Sequence, residues 1–144
     1  MGDADLGLVP RAELCALAEH LLIGRTIEHL VIPQRGLWLM EMTEPVHGDH
    51  YFLGEVPAAQ ACVEVRDPAL GAAKGGAVLL QADREQAVAA AVCDAVRRAG
   101  WPGTDDVEAL LARGAAHRDI AESARQAILD RTRVDFRELS QEGG

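Results

Sequence analysis

The sequence predicts an α+β fold, with an N-terminal helix, an antiparallel sheet of about four to five strands, and then about two to three C-terminal helices packed on the sheet. Between residues 26 and 80 the apolar residues form short runs bounded by turn residues, which favours strands. After Gln81 they recur at helical spacing. The links between successive strands are shorter than the roughly twelve residues of a parallel crossover, so we expect antiparallel pairing.

The chain of 144 residues fits a single domain spanning residues 1–144, because it contains no linker, internal repeat or low-complexity tract. Its hydrophobic content of 49% is that of a folded globular protein. We expect residues 1–9 and 137–144 to be flexible, since chain termini are ordered only where another part of the fold holds them.

Acidic residues outnumber basic ones by 23 to 14, which gives a formal net charge of −9. Nucleic acids and anionic membranes are bound through clustered Lys and Arg, so neither is an expected partner. A strongly anionic ligand would also be repelled by most of this surface. Most of the cations that bind such a ligand would therefore have to come from elsewhere.

We expect a cytoplasmic location. No apolar run is long enough to cross a membrane, and the N-terminus lacks the apolar segment of a signal peptide. The cysteines Cys15, Cys62 and Cys93 are far apart and form no CxxC pair. They predict free thiols and not a disulfide framework.

The first predicted helix covers residues 11–23. Pro10 suits a helix start, because the first turn does not need its missing N–H, and Gly24 suits the end. Four leucines follow at helical spacing: Leu14, Leu17, Leu21 and Leu22.

The strand candidates cover residues 26–32, 36–43, 51–56, 59–66 and 73–80. Pro33 and Asp67-Pro68 mark turns between them. Gly75-Gly76 either weakens the last strand or marks a bulge in it.

The helical part begins with a capping box, in which the Asp83 carboxylate accepts the Gln86 N–H and the Gln86 side chain reaches back. This helix should end at Gly100, since glycine adopts the left-handed conformation that follows many helices. Thr104 can cap the next helix, which we expect to end near Gly114. A last helix then covers residues 116–132.

Two motifs invite a functional interpretation that we do not favour. In His47-Gly48-Asp49-His50, two imidazoles and a carboxylate could ligate Zn²⁺, but no fourth ligand is evident and a solvated connection is the simpler interpretation. We therefore assign no metal to His47 and His50. The stretch 71–76 is rich in glycine but lacks the spacing of a phosphate-binding loop, so we favour a turn that enters a bulged strand.

Glu55 and Arg84 are the candidate contacts for an anion or a partner. Glu55 could act as a base or touch a partner, although an exposed glutamate at a strand end is the favoured interpretation. Arg84 follows the Asp83 cap in the first turn of a helix, whose free N–H groups can hold an anion. The alternative for Arg84 is a solvated side chain. No catalytic residue is assigned.

Val134, Asp135 and Phe136 are the candidate docking segment. An aromatic residue near a chain terminus makes sense if a partner buries it. Docking of the same segment onto the chain's own sheet is an equal alternative.

A series of short features runs through the chain in a definite order. They are Gly36-Leu37, His47-Gly48-Asp49-His50, Phe52-Leu53-Gly54-Glu55, Val63, Gly71, Asp83-Arg84 with Ala87, Asp94-Ala95 and Arg133-Val134-Asp135-Phe136. In that order they resemble the G subunit family (PhnG) of the bacterial carbon–phosphorus lyase core complex. Each feature alone is common, so the resemblance lies in their order across residues 36–136.

The sequence departs from this family where its members usually carry arginines. The corresponding stretches here are Glu41-Met42-Thr43-Glu44, Ala59-Gln60-Ala61 and Gln81-Ala82. The family's arginines could contact a polyanion or a partner's acidic groups, so this chain is expected to be a diverged member.

The resemblance implies a subunit of a phosphonate-processing complex, with the I subunit as chief partner and the H, J and L types as further partners. It implies a part in the synthase step, in which an alkylphosphonate displaces the purine of ATP and gives ribose 1-alkylphosphonate 5-triphosphate. The family's G subunit has no assigned catalytic residue. We therefore expect a non-catalytic or co-catalytic role, no cofactor in this chain, and ATP and Mg as substrates of the assembled complex.

Two other hypotheses stay open. The chain could be an acidic α+β interaction protein without phosphonate chemistry, which co-purification with an I-type subunit would distinguish. It could also be a small metal-dependent enzyme that uses His47 and His50, which metal analysis would test.

Overall fold

The computed structural model describes residues 3–133, with side chains from residue 6 onward. In chain order it contains a 3-10 helix (Asp3–Leu8), α1 (Arg11–Leu21), β1 (Thr26–Thr43), β2 (His50–Asp67), β3 (Gly71–Leu80), α2 (Arg84–Ala99) and α3 (Thr104–Arg131). The strands form an antiparallel sheet in the order β1-β2-β3, so the α+β class is confirmed. Over the described range, no helix has both the length and the hydropathy to cross a membrane.

The predicted number of strands is wrong, because three long strands replace the shorter ones. Pro33 lies inside β1, where the pairing with β2 shifts register between Val31 and Gln34. Pro57 lies inside β2, between the predicted strands 51–56 and 59–66, and pairs with Leu37 of β1. A shift in register carries β1 past Pro33, and β2 continues through Pro57 in unbroken register with β1.

β1 and β2 extend well beyond β3. β3 pairs with β2 only from Ala58 to Asp67, whereas β1 and β2 stay paired as far as Thr43 and His50. Residues 37–57 therefore form a two-stranded hairpin, called the ribbon below, that projects from the three-stranded sheet. At about 3.3 Å per residue, its strands reach roughly 20 Å beyond β3.

The core lies between one face of the sheet and the helices, with α2 closest to the strands. α2 packs on β3 at Gly75, where an added Cβ would lie 2.2 Å from the Ala91 oxygen. The β2–β3 pairing runs through Gly75 without a register shift, so the predicted bulge is wrong. Glycine stands at position 75 because the helix backbone leaves no room for a side chain.

The flexibility expected over residues 1–9 stays a prediction, and part of this segment forms a short helix. Asp3–Leu8 forms a 3-10 helix, and Leu6 and Val9 are buried in the core. These apolar side chains hold the segment against the fold, but they are too few to show a period in the sequence. α1 then begins at Arg11 and ends at Leu21, earlier than predicted.

Arg25 joins three parts of the fold beside the core. Its Nε donates to Asp67 Oδ2 at 2.9 Å, and its Nη1 donates to the Leu21 oxygen at 2.8 Å. Its guanidinium also lies 5.2 Å from the centre of the Trp101 ring. The hydrogen bond from Arg25, followed by that from the Ala69 N–H, lowers the pKa of Asp67 below its ordinary value.

The ends of α2 follow the predicted signals. Asp83 Oδ1 accepts the Gln86 N–H at 2.9 Å, and Gln86 Oε1 accepts the Asp83 N–H at 3.0 Å. The capping box is therefore confirmed. Gly100 has a φ of 66° and ends the helix in the left-handed region, as predicted.

α3 is one helix of 28 residues, so the predicted break at Gly114 is wrong. Gly114 is buried, in the half of α3 that packs on the rest of the fold. Residues 116–131 are exposed along their whole length. The predicted cap by Thr104 is also wrong, since its hydroxyl donates to the Trp101 oxygen at 2.7 Å and Gly103 takes the cap position.

Candidate functional site

Arg84, the predicted anion contact, is exposed at the start of α2. Arg11 and Arg35 lie beside it, together with Asp83 and Glu85. Arg11 is already paired, because its Nε donates to Asp83 Oδ2 at 2.8 Å and its Nη2 contacts Glu85. Arg35 and Arg84 form no such ion pair with any residue of the described range. The structure thus places two unpaired guanidinium groups beside two carboxylates.

The Asp83 carboxylate occupies the N-terminus of α2. The hydrogen bond from the Gln86 N–H, and then that from Arg11, lower the pKa of Asp83 below its ordinary value. The same contact raises the pKa of Arg11. Both groups are charged at neutral pH, so an external anion would compete with Asp83 for the helix N-terminus. Anion binding by Arg84 stays a prediction.

A cleft of about 580 Å³ adjoins this cluster, between α1, β1 and α2. Leu22 and Ile32 belong to its largely apolar wall, and its charged lining residues are Glu19, Arg84 and Glu85. The volume is that of a small-molecule site. However, one cation beside two carboxylates does not give the positive field that a triphosphate needs.

His47 and His50, to which the sequence analysis assigns no metal, lie at the tip of the ribbon. His50 Nδ1 is 3.1 Å from Glu41 Oε1, so the imidazole pairs with a carboxylate across the two strands. The backbone N–H of His47 donates to Glu44 Oε2 at 2.6 Å. Between residues 3 and 133, no three His, Cys, Asp or Glu side chains come together in a way that could hold a metal ion.

Glu55 is exposed on the ribbon, opposite Leu39 of β1. Val134, Asp135 and Phe136 lie outside the described residues, and their role in docking stays a prediction. Residues 137–144, for which we expected flexibility, lie outside them too.

The cysteines are free thiols in the folded chain. Cys15 and Cys62 are partly buried and Cys93 is buried. Burial raises the pKa of the Cys93 thiol to about 12, so it stays protonated and unreactive at neutral pH.

Both faces of the ribbon carry large apolar side chains. Residues that alternate along a strand share a face, and so do residues paired across antiparallel strands. One face holds Trp38, Met40, Met42, Tyr51 and Val56. The other holds Leu37, Leu39, Phe52 and Pro57, with Glu41 and Glu55 among them. The exposed fractions of Trp38, Leu39 and Phe52 are 44%, 61% and 65%.

The ribbon also concentrates the aromatic residues of the chain. Of the two Trp, one Tyr and two Phe in the sequence, Trp38, Tyr51 and Phe52 lie in the ribbon, and each is at least 44% exposed. By contrast, Trp101 is 7% exposed. Aromatic side chains are enriched in protein interfaces, and monomers rarely expose large apolar patches. The ribbon is therefore the candidate interaction surface.

The sheet face that turns away from the helices is open as well. Val31, Val78 and Leu80 lie on it, and each is at least 43% exposed. Gln60 pairs with both Val78 and Gln34, and alternation along β1 from Gln34 reaches Trp38, so this face continues into the Trp38 face of the ribbon. The apolar surface thus extends from the ribbon onto the body of the domain.

Sequence reasoning missed the ribbon as a functional surface. The short apolar runs of this region predict strands, and the sequence analysis assigns no role to their apolar side chains. A signal was nevertheless present in the consecutive apolar residues 37–40 and 51–53. A strand packed on one core cannot bury neighbouring residues on both of its faces, so such runs require cover on two sides.

The sequence matches the family described as phosphonate metabolism protein PhnG over residues 4–141. No curated protein matches it. The match covers nearly the whole chain, including the ribbon and the start of α2. The matched range includes residues 36–136, over which the sequence resembles this family. The chain therefore belongs to the family of the phosphonate metabolism protein PhnG.

Proposed function

We propose that the chain is a non-catalytic or co-catalytic subunit of the carbon–phosphorus lyase core complex. In this role it assists the synthase step, in which an alkylphosphonate displaces the purine of ATP to give ribose 1-alkylphosphonate 5-triphosphate. Family membership across residues 4–141 carries the proposal. The role in phosphonate metabolism belongs to the family, and the particular step is our inference.

The charge distribution supports a dependent role. The chain has a formal net charge of −9, and Arg11 beside Arg84 is already neutralised by carboxylates. A triphosphate with its Mg²⁺ still needs several cationic contacts to be held. We therefore infer that the other subunits, chiefly the I type, supply most of these contacts and the catalytic groups.

Reconstitution tests the proposal. The H, I, J and L subunits are co-expressed with and without this chain, and adenine release from ATP is measured with methylphosphonate present. We expect stable co-purification, release by the full set, and a strong loss of release when this chain is omitted. The purified chain alone should release no adenine. Turnover by the chain alone, or undiminished release without it, contradicts the proposal.

The altered stretch Glu41-Met42-Thr43-Glu44 favours one second candidate. A member that has exchanged family arginines for acids could act as an acidic interaction protein without phosphonate chemistry. In that case the chain would bind a partner, but omitting it would leave adenine release unchanged.

A further inference from the structure

We propose that the ribbon, residues 37–57, inserts into an apolar cleft of another subunit of the complex, with basic side chains at the rim of that cleft. In this arrangement both faces of the ribbon are buried at once. The identity of the partner rests on the proposed function. The location and chemistry of the contact rest on the structure of the ribbon.

The apolar content of both faces argues for enclosure. A ribbon that lies flat on a partner needs one apolar face and can keep a polar one in water. Here Trp38 and Met42 are 44% and 40% exposed on one face, while Leu39 and Phe52 are 61% and 65% exposed on the other. Since the described part of the chain covers neither face, a single flat contact would leave half of this surface in water.

The charge of the ribbon indicates the chemistry of the partner. Its 21 residues include the carboxylates Glu41, Glu44, Asp49 and Glu55 and no Lys or Arg. A basic rim on the partner would complement these groups and speed association. A second copy of this chain is the less suitable occupant, because pairing two ribbons would bring eight carboxylates together.

The ribbon is organised before binding. At its tip, the Glu44 carboxylate accepts the Val46 N–H at 3.0 Å and the His47 N–H at 2.6 Å. The Glu44 N–H donates to the Asp49 oxygen at 2.8 Å, which closes the turn. A preformed hairpin loses little conformational entropy on insertion, so more of its apolar burial appears as affinity.

Single substitutions on each face test the enclosure. Trp38→Thr removes a large apolar side chain from one face, and Leu39→Thr removes one from the other. Threonine favours strands, so both variants should keep the ribbon. Leu70→Thr is the matched control, since Leu70 is 48% exposed in the turn between β2 and β3, at the opposite end of the sheet. The dissociation constant for the immobilised I-type subunit, and for the assembled H, I, J and L subunits, is measured by biolayer interferometry.

We expect each ribbon variant to weaken binding by roughly tenfold or more, as for buried aromatic and aliphatic anchors, and Leu70→Thr to leave it within about twofold. A shortened variant, in which Asn-Gly replaces residues 39–55 between the paired residues Trp38 and Val56, should fold with an unchanged helical spectrum and lose binding.

Normal binding by Leu39→Thr or by Trp38→Thr overturns burial of both faces. Normal binding by the shortened variant overturns the ribbon as the docking element. Sedimentation should show a monomeric free chain, and a dimer that Trp38→Thr dissociates would identify a second copy as the occupant instead. Failure of the unmodified chain to bind any subunit would contradict the proposed function itself, whereas the other outcomes concern the ribbon alone.

Discussion

Replacing Gly75 by alanine tests how closely α2 lies on the sheet. In the folded chain, the new Cβ would lie 2.2 Å from the Ala91 oxygen and 2.4 Å from the Ala95 nitrogen. Ordinary van der Waals contact begins near 3.4 Å, so α2 would have to retreat by about 1.2 Å. The atoms in the way belong to the helix backbone, and no side chain can rotate to make room.

Overpacking of a core costs about 1–3 kcal/mol, and a clash with backbone belongs at the upper end. We therefore expect Gly75→Ala to destabilise the chain by about 3 kcal/mol. For a domain of this size, that lowers the melting temperature by about 10 °C. Thermal and urea unfolding, followed by circular dichroism at the helical band, measure both quantities.

Gly76→Ala is the control for this experiment. A Cβ at position 76 would lie 3.6 Å from the Ala61 oxygen and 4.0 Å from Cys62 Sγ, which is ordinary contact. Its stability should stay within about 1 kcal/mol of the unmodified chain. Equal melting temperatures for Gly75→Ala and Gly76→Ala would refute the close approach of α2 to β3.

Three further predictions concern charged groups. Asp94 is 3% exposed, accepts the Gly76 N–H at 3.1 Å and lies within 3.7 Å of both Arg97 and Arg98. Asp94→Ala should therefore lower the free energy of unfolding in urea by about 2–3 kcal/mol. A loss below about 0.5 kcal/mol would contradict a stabilising role of these contacts. Folding lowers the pKa values of Asp67 and Asp83, so their ionised carboxylates stabilise the folded chain. This stabilisation is complete above the ordinary pKa of 3.8 and is lost as the pH falls through the lower pKa values of the folded chain. The urea midpoint should fall with acidification, and less steeply in Asp67→Asn; an equal slope in both proteins would count against this assignment. Added salt should lower the rate constant for association with the partner subunits, because it screens the carboxylates of the ribbon. A variant that combines Glu41→Gln and Glu55→Gln should show a weaker dependence of this rate constant on salt.

Local signals in the sequence predicted the local features of the fold. The capping box at Asp83 and the left-handed Gly100 follow from hydrogen bonds and backbone preferences within a few residues. The switch from strands to helices near Gln81 follows from the change of apolar period. These elements depend little on distant parts of the chain.

Features that depend on tertiary packing could not be predicted in the same way. Proline usually ends a strand, but β1 continues past Pro33 with a shift in register, and β2 continues through Pro57 without one. Gly75 resembled a weak strand position, and its reason lies in the backbone of α2 across the core. Gly114 resembled a helix end, yet α3 continues through it.

The candidate site was predicted in part. Arg84 does lie at an exposed helix start, but its neighbours Arg11 and Arg35 come from α1 and β1, and no spacing along the sequence shows that proximity. The ribbon was missed because the apolar runs predict strands but do not show which strand residues stay uncovered. That depends on where β3 ends along β2.

We propose that another subunit covers the ribbon in the assembled complex. Hydroxyl-radical footprinting with mass spectrometry measures this directly, since Trp38, Met42, Tyr51 and Phe52 are reactive side chains that are exposed in the free chain. We predict that their oxidation falls several-fold in the purified complex, while Leu70 at the opposite end of the sheet is oxidised as in the free chain. Equal oxidation of the ribbon residues in the free chain and in the complex would contradict coverage of the ribbon by another subunit.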